Sequence, residues 1–193
     1  MNLKHLNLKT IVLSAVTLLL VSVGVAKADM REKAFTLKNI HQNIVDDYKS
    51  VKHISRQKLI EVLDSENRSD VLIFDVREKE EFIVSHLKGA KQLSPSVWKS
   101  SFLKKYGEQV KGKKIIFYCS VGVRSTKMAN YLNQSLKEQG AQEIYNLEEG
   151  IFGWANKGQA LFKSAAEKTT KVHPYNSHWG QLIKEESIKS YVP

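Results

Sequence analysis

The sequence predicts an α/β domain with a mostly parallel central sheet and helices on both of its faces. Two predicted strands, at 71–74 and 114–118, are continuous apolar runs apart from Lys114, and such runs are typical of strands that are covered on both sides. The segment 123–140 carries apolar residues four positions apart and ends in a glycine, which predicts a helix. Strand and helix patterns alternate between about 50 and 160, and this alternation favours a parallel sheet.

The first part of this region predicts a helix that follows a polar lead-in. Residues 29–52 are polar with spaced apolar side chains, and they predict a short helix or an extended segment. Ser55 is the predicted N-cap of the next helix, in which Leu59, Ile60 and Leu63 mark one apolar face.

The middle of the chain predicts two helices separated by a short strand. The strand at 71–74 ends in Asp75, and the segment after it is predicted to be helical until near Gly89. Residues 90–94 are a short strand candidate. The second helix is predicted to begin near Pro95 and to stop at Gly107, because proline is favoured at a helix start. Later in the chain, 143–147 predicts a strand and 150–158 a short helix.

The N-terminus has the pattern of a secretory signal peptide. Lys4 and Lys9 precede a mostly apolar run at 11–26, and small residues follow at Ala26 and Ala28. The apolar run is shorter than the roughly 20 residues that a spanning helix needs. We therefore expect residues 1–28 to be removed after Ala28 and the protein to reach the periplasm, with no stable membrane association after cleavage. The alternative is an uncleaved N-terminal membrane anchor with the domain facing outward.

The composition is that of a globular protein, with 42% hydrophobic and 26% charged residues. The net charge is +10, and removal of the predicted signal peptide takes away three lysines and no acid, which leaves +7. The basic residues form no arginine-rich run and no patch interleaved with aromatic residues. The charge therefore favours a small anionic substrate and not a nucleic acid.

Cys119 is the only cysteine of the chain, so it has no internal disulfide partner. An unpaired thiol in an exported protein is either buried and inert or reactive because it has a chemical function. The six histidines are scattered, and none stands at metal-ligand spacing from Cys119. We predict neither a metal site nor a cofactor.

The position of Cys119 favours the reactive alternative. The residue follows a predicted strand and precedes a helix that begins near Arg124, and ligands of parallel sheets bind at the carboxyl ends of strands. Gly122 permits the bend that would turn the backbone N–H groups of the loop toward the sulfur. The positive end of the helix dipole adds to this effect. These features together would stabilise a negatively charged sulfur.

Four blocks in order resemble the single-domain rhodaneses, the sulfurtransferase family. They are "HISRQKLIEVL", "VLIFDVREKEEFIVSHLKGA", "IIFYCSVGVRS" and "IYNLEEGIFGWANKG". The resemblance covers 53–162 and implies a rhodanese-like domain there. The lead-in at 29–52 and the tail at 163–193 lie outside it, and we expect the tail to pack on the domain.

The resemblance implies that Cys119 is the catalytic nucleophile. Its thiolate would take the outer sulfur of thiosulfate or a similar anionic donor. Cyanide or a thiol, either of a small molecule or of a protein, would accept that sulfur from the persulfide. The loop would hold sulfur and donor through Ser120, Val121, Gly122, Val123, Arg124 and Ser125. Arg124 is the candidate to hold the donor, because a guanidinium pairs well with oxyanions. The alternative for Arg124 is a structural ion pair at the helix start.

Several other residues match family positions. Asp75 and Arg77 are expected to support the scaffold of the site, His86 is expected to be structural, and Trp154 is expected to lie in the core. Departures from the family pattern stand at turns, where Ser85, Glu149 and Ser94 replace residues that are often Gly, Gly and Pro.

Two other functional classes stay open. A cysteine phosphatase or arsenate reductase also combines a cysteine, a backbone loop and an arginine, but places five residues between them, whereas four separate Cys119 from Arg124 here. A sulfur carrier or interaction module with little turnover is the second alternative, because one fold serves many functions. In the tail, His173 and His178 suggest either a ligand patch or a segment that packs on the sheet, and the packing segment is favoured.

Overall fold

The computed structural model describes residues 35–193. The predicted signal peptide at 1–28 and the start of the lead-in lie outside this range. A parallel sheet is formed by β1 (Lys52–Ile54), β2 (Val71–Asp75), β3 (Lys91–Gln92), β4 (Lys114–Tyr118) and β5 (Glu143–Leu147), in the order β1-β5-β4-β2-β3. The α-helices are α1 (Leu37–Asp47), α2 (Arg56–Asp64), α3 (Lys79–Val84), α4 (Lys99–Tyr106), α5 (Val123–Glu138), α6 (Gly150–Ala155) and α7 (Ser177–Gly180). A separate two-stranded ribbon pairs β6 (Leu161–Phe162) with β7 (Lys168–Thr169) in antiparallel orientation.

Helices cover both faces of the sheet, as the continuous apolar runs predict. On one face Ile73, Ile116 and Tyr118 pack with buried residues of α2 and α6. On the other face Phe74 and Phe117 pack with buried residues of α4 and α5. Side chains alternate between the two faces along each strand, so one five-residue strand contributes to both cores. The predicted α/β class is confirmed.

The start of α2 follows the capping signal of the sequence, whereas two other predicted helix boundaries differ from the structure. Ser55 caps α2, because its Oγ accepts a hydrogen bond of 3.2 Å from the backbone N–H of Lys58. The prediction for the region after Asp75 is wrong in extent. The helix α3 ends at Val84 and does not continue to Gly89, because the Ser85 carbonyl accepts a hydrogen bond of 2.6 Å from Arg77 Nη2.

The residue that follows Ser85 is also taken out of the helix. His86 and Phe162 exchange two backbone hydrogen bonds, of 2.8 and 2.9 Å, in an antiparallel bridge.

The helix predicted to begin near Pro95 begins four residues later, at Lys99, because the backbone at 94–97 forms a turn in which Val97 N donates to Ser94 O.

The tail supplies core residues to the face of the sheet that α2 and α6 cover. Val172, Leu182 and Ile183 are buried in the same apolar cluster as Ile116. The lead-in meets the tail, since the ring of Phe35 lies 4.3 Å from that of His178. Among residues 35–193, none of the helices has both the length and the apolar character needed to cross a membrane.

Candidate active site

Cys119 follows β4 at the carboxyl end of the sheet, where the sequence places it. Its side chain is only 1% exposed, and its Sγ accepts a hydrogen bond of 3.2 Å from the backbone N–H of Gly122. Gly122 has a φ of +102°, which a residue with a Cβ rarely adopts. The chain can therefore turn sharply back on itself and direct an N–H group at the sulfur.

The start of α5 leaves further N–H groups without an acceptor in the helix. The first intrahelical hydrogen bond runs over 3.0 Å from Thr126 N to Gly122 O. The N–H groups of Val123, Arg124 and Ser125 precede it and have no intrahelical acceptor. Because α5 has 16 residues, its N-terminus also carries the full positive partial charge of a long helix. This end of the helix is a site for an anion.

Glu81 joins three separate parts of the site. It lies on α3 with only 2% exposure, and its two carboxylate oxygens accept hydrogen bonds of 2.7 and 2.8 Å from Arg124 Nη1 and Nη2. The Ser120 hydroxyl donates to Glu81 at 3.0 Å and accepts from Arg124 Nη2 at 3.0 Å. The backbone N–H of Glu78 donates to the same carboxylate. Glu81 therefore ties the loop and the start of α5 to α3.

The same network determines the ionisation of Glu81 and Arg124. Burial opposes the charge of Glu81, but hydrogen bonding to Arg124 and the charges of Arg124 and Arg77 outweigh it and lower the pKa of the carboxyl. Burial likewise opposes the charge of Arg124, but the hydrogen bond to Glu81 and the charges of Cys119 and Glu81 raise the pKa of the guanidinium. Of the two roles that the sequence leaves open for Arg124, the ion pair is present in the structure.

Asp75 and Arg77 form a second ion pair, which is fully buried. Arg77 Nε and Nη2 donate to the carboxylate of Asp75 at 2.8 and 2.7 Å, and neither side chain is exposed. Arg77 also holds the Ser85 carbonyl, and its guanidinium lies 5.9 Å from the centre of the Tyr118 ring. The pair connects the end of β2 with the segment after α3, which is the location of a scaffold element.

The start of α6 lies directly beneath the cysteine loop. Ile151 N donates to the Cys119 carbonyl at 2.9 Å, and Phe152 N donates to the Ser120 carbonyl at 3.0 Å. A Cβ added at Gly150 would approach the Cys119 carbonyl oxygen to 2.3 Å, so a glycine is required for this contact. Glu149 has a φ of 59°, a conformation that glycine adopts more readily than a residue with a Cβ.

A buried polar chain supports the other side of the loop. Ser125 Oγ donates to Asn146 Oδ1 at 2.6 Å and contacts the Gly122 carbonyl at 3.2 Å. The Asn146 amide lies 3.2 Å from His53 Nδ1. Burial, followed by the charge of His41, lowers the pKa of His53 to about 4, so this imidazole is neutral near neutral pH and can accept from the amide.

The structure brings the predicted loop residues together, but it assigns several of their side chains to packing. Val121 is buried in the apolar cluster and Val123 packs against it, so only their backbone groups can face a ligand. His86 stacks on Phe82 with ring centroids 4.1 Å apart and hydrogen-bonds to the Phe82 carbonyl. Trp154 lies in the core and donates to the Ala160 carbonyl.

The sequence reasoning missed Glu81 and Asn146, and it favoured a packing role over a ligand patch for the tail, two residues of which lie near Arg124 and Glu81. Tyr175 places its ring 4.9 Å from the guanidinium carbon of Arg124. The pKa of the buried His173 is lowered mainly by burial, while the charges of Glu81 and Arg124 also act on it. The signal for Glu81 was present as an acidic residue three positions after Glu78, at capping-box spacing.

Within the described part of the chain, no group of three His, Cys, Asp or Glu side chains could hold a metal ion. The two tail histidines have different surroundings. The ring of His173 meets Tyr191 edge-on at 5.2 Å, and its Nδ1 accepts from Tyr175 N. His178 packs on Phe35 and Trp179.

Comparisons with known proteins agree with this architecture. Residues 55–157 match the Rhodanese-like domain family. The thiosulfate sulfurtransferase GlpE of Coxiella burnetii is 31% identical over 108 residues, which are 55% of this chain and 87% of that protein. A tRNA uridine(34) hydroxylase of Aster yellows witches'-broom phytoplasma is 33% identical over 98 residues, 49% of this chain but only 30% of that protein.

A solved structure shows the shared fold. The thiosulfate sulfurtransferase of Pseudomonas aeruginosa superimposes with a TM-score of 0.53 at 15% identity, over 76% of this chain and 26% of that one. The family match covers more than half of the chain, and its limits enclose the sheet from β2 to β5 together with the cysteine loop. The chain therefore belongs to the rhodanese-like domain family.

Proposed function

We propose that the protein is a sulfurtransferase that carries a sulfane sulfur as a persulfide on Cys119. The observation that supports this most directly is the hydrogen bond from Gly122 N–H to Cys119 Sγ at the start of a long helix. An N–H group aimed at a cysteine sulfur stabilises that sulfur when it is negatively charged. The relation to thiosulfate sulfurtransferases supports the same activity, with thiosulfate or a similar anion as donor.

The reaction has two displacement steps. The Cys119 thiolate attacks the outer sulfur of the donor, a new S–S bond forms, and the old S–S bond breaks with its electron pair leaving on sulfite. The terminal sulfur of the persulfide then lies at the helix start, near the N–H groups of Val123, Arg124 and Ser125. A thiolate or cyanide attacks that sulfur, and the electron pair of the broken bond returns to Cys119. This is covalent, ping-pong catalysis.

Arg124 supports this reaction from within its ion pair. Both of its terminal nitrogens already donate hydrogen bonds to Glu81. The pair of N–H groups that could bind two oxygens of a sulfonate is therefore already in use. A donor anion therefore meets backbone N–H groups first and the charge of Arg124 second. We propose that Arg124 contributes chiefly by fixing the loop and only secondarily by attracting the donor.

Mass spectrometry of the intact protein tests the proposal. After incubation with thiosulfate and removal of the excess, we expect one added sulfur atom per chain, which cyanide then removes as thiocyanate. The matched control is Cys119→Ser, which should fold normally and gain no sulfur. An unmodified wild-type chain, or equal modification of the serine variant, would contradict the persulfide mechanism.

A sulfur carrier with little turnover is the second candidate, and the burial of the thiol favours it. Cys119 is 1% exposed, so its sulfur offers an acceptor in solvent almost no accessible surface. Thiocyanate release measured over many turnovers with excess thiosulfate separates the two functions. A catalyst turns over repeatedly, whereas a carrier releases one equivalent and stops. Activity toward an aryl phosphate would instead identify the phosphatase alternative.

We also propose that the protein acts outside the cytoplasm. The basic start, the apolar run and the small residues at Ala26 and Ala28 support removal of the first 28 residues. The intact mass of protein isolated from its native cell compartment tests this, with Asp29 as the expected first residue. A chain that retains its N-terminal lysines would indicate the anchored alternative.

A further inference from the structure

The C-terminal segment places an aromatic ring on the catalytic loop from outside the family domain. The family match ends at residue 157, whereas Tyr175 stacks its ring 4.9 Å from the guanidinium carbon of Arg124. Tyr175 is 46% exposed, so burial of apolar surface explains its position only in part. Its partner Arg124 is the residue that binds both Glu81 and Ser120.

The backbone of Tyr175 is held in an unfavourable conformation. Its φ is 66°, and among residues 35–193 only Glu149 is another non-glycine residue with a positive φ. A bulky residue in this region is strained, and such strain persists only where the surroundings enforce it. The surroundings here include His173, whose Nδ1 accepts a hydrogen bond of 3.0 Å from Tyr175 N.

The flanking residues anchor this conformation on both sides. Val172 is fully buried and exchanges backbone hydrogen bonds with Ile188 and Ser190. After Tyr175, the N–H of Asn176 donates to the Pro174 carbonyl at 2.8 Å. The ring is therefore presented by a fixed turn and not by a free end.

Glu81 and Tyr175 both contact the Arg124 guanidinium. Glu81 accepts two hydrogen bonds from the terminal nitrogens of this group, and its central carbon lies over the tyrosine ring, 4.9 Å from the ring centre. We infer that Tyr175 is a positioning residue for the persulfide loop. It keeps Arg124 against Glu81 and Ser120, and thereby holds the loop in the bend that directs Gly122 N–H at Cys119. The inference deepens the proposed function and rests on it for its role in sulfur transfer.

The expected effect follows from the strength of a half-exposed cation–π contact, which changes an equilibrium by about two- to five-fold. Tyr175→Ala should slow persulfide formation from thiosulfate by about that factor, and it should speed alkylation of Cys119 by iodoacetamide by a similar factor, because a looser loop exposes the sulfur. Tyr175→Phe keeps the ring and should behave like the wild type in both assays.

Tyr131 offers a matched control. Its ring is 44% exposed and lies 4.9 Å from the ammonium of Lys99, so it repeats the ring–cation arrangement away from Glu81. Tyr131→Ala should leave both rates unchanged. In an Arg124→Gln background the side chain offers the ring no positive charge, so Tyr175→Ala should have no further effect there.

The outcomes separate this inference from the proposed function. If Tyr175→Ala alkylates at the wild-type rate, or if its full effect persists in the Arg124→Gln background, the positioning role is overturned while the persulfide mechanism stands. If the wild type gains no sulfur but the alkylation pattern is as expected, the positioning role stands and the proposed activity fails. Urea unfolding of each variant identifies any rate change that comes from lost stability.

Discussion

Removing the cation that neutralises Glu81 should destabilise the protein in a way that depends on pH. The substitution is Arg124→Ala. It leaves a carboxylate with 2% exposure next to the cysteine loop and takes away its two shortest hydrogen bonds, of 2.7 and 2.8 Å. The Ser120 hydroxyl and the Glu78 N–H, each at 3.0 Å, remain as donors.

The magnitude follows from the burial of the pair. Breaking a buried ion pair by removing one partner costs about 3–5 kcal/mol. We expect the lower end, about 3 kcal/mol at neutral pH, because two donors to Glu81 remain and the Arg124 side chain is 24% exposed in the wild type. With a urea m-value of about 2 kcal/mol/M, the unfolding midpoint should fall by about 1.5 M.

The contribution of Glu81 to the free energy of unfolding should change with pH in opposite directions in the wild type and in the variant. In the wild type the pKa of Glu81 lies below its ordinary 4.5, so its charge contributes stability above that pH, and this contribution is lost as the pH falls through the lower folded value. In Arg124→Ala, burial becomes the dominant influence and raises the pKa of Glu81 above 4.5. Charging it then destabilises the fold as the pH rises. The difference in free energy of unfolding between wild type and variant should therefore shrink to about 1 kcal/mol near pH 4.5.

The assay is urea unfolding of wild type and variant at neutral pH and at about pH 4.5. The control is Lys52→Ala, which removes the cation of an exposed pair with the same 2.7 Å separation, between Lys52 and Glu143. This control should leave the midpoint unchanged, because solvent screens exposed pairs. A loss in Arg124→Ala that is equal at both pH values, or no larger than that of the control, would refute the reasoning.

Three further outcomes are expected from other parts of the scaffold. Asp75→Ala should lower the free energy of unfolding, measured in urea, by about 4 kcal/mol, because it leaves the fully buried Arg77 without its counter-ion. Adding Arg77→Met should recover most of that loss. Glu149→Gly should raise stability by about 0.5 kcal/mol, since relief of the positive φ exceeds the added chain entropy. The pKa of His53 is lowered to about 4 from 6.5, so stability should fall as the pH drops between these values, and His53→Gln should flatten that fall.

The sheet and the location of the cysteine were predictable because they follow from local patterns. The strands β2 and β4 are covered on both faces, so they appear as continuous apolar runs in the sequence. Parallel strands bring their carboxyl ends to one edge, which places Cys119 beside the end of β2 without any knowledge of long-range contacts. The glycine at 122 adds the bend, and its φ of +102° is one that glycine adopts readily.

The residues that fix the loop were not predictable in the same way. The N-cap and the first turn of α3 offer acids at Glu78, Glu80 and Glu81, and only the packing of α3 against the loop decides that Glu81 turns inward. The early end of α3 has a similar cause. The buried Arg77 donates a hydrogen bond to the Ser85 carbonyl, which in a longer helix would accept from the helix backbone. The contact of Tyr175 with Arg124 joins residues that are far apart in the chain, and no periodicity encodes it.

The charges around Cys119 cancel in pairs, and this restricts what can hold an anion there. Asp75 is paired with Arg77 and Glu81 with Arg124, so each pair as a whole adds little net positive charge, and the attraction of Arg124 for an anion is weakened by its partner. The uncompensated positive potential that remains comes from the Gly122 N–H and from the N-terminal end of α5. These groups are part of the backbone, so their position depends on the shape of the loop and not on any single side chain. The buried pairs therefore act on the proposed chemistry by keeping that shape.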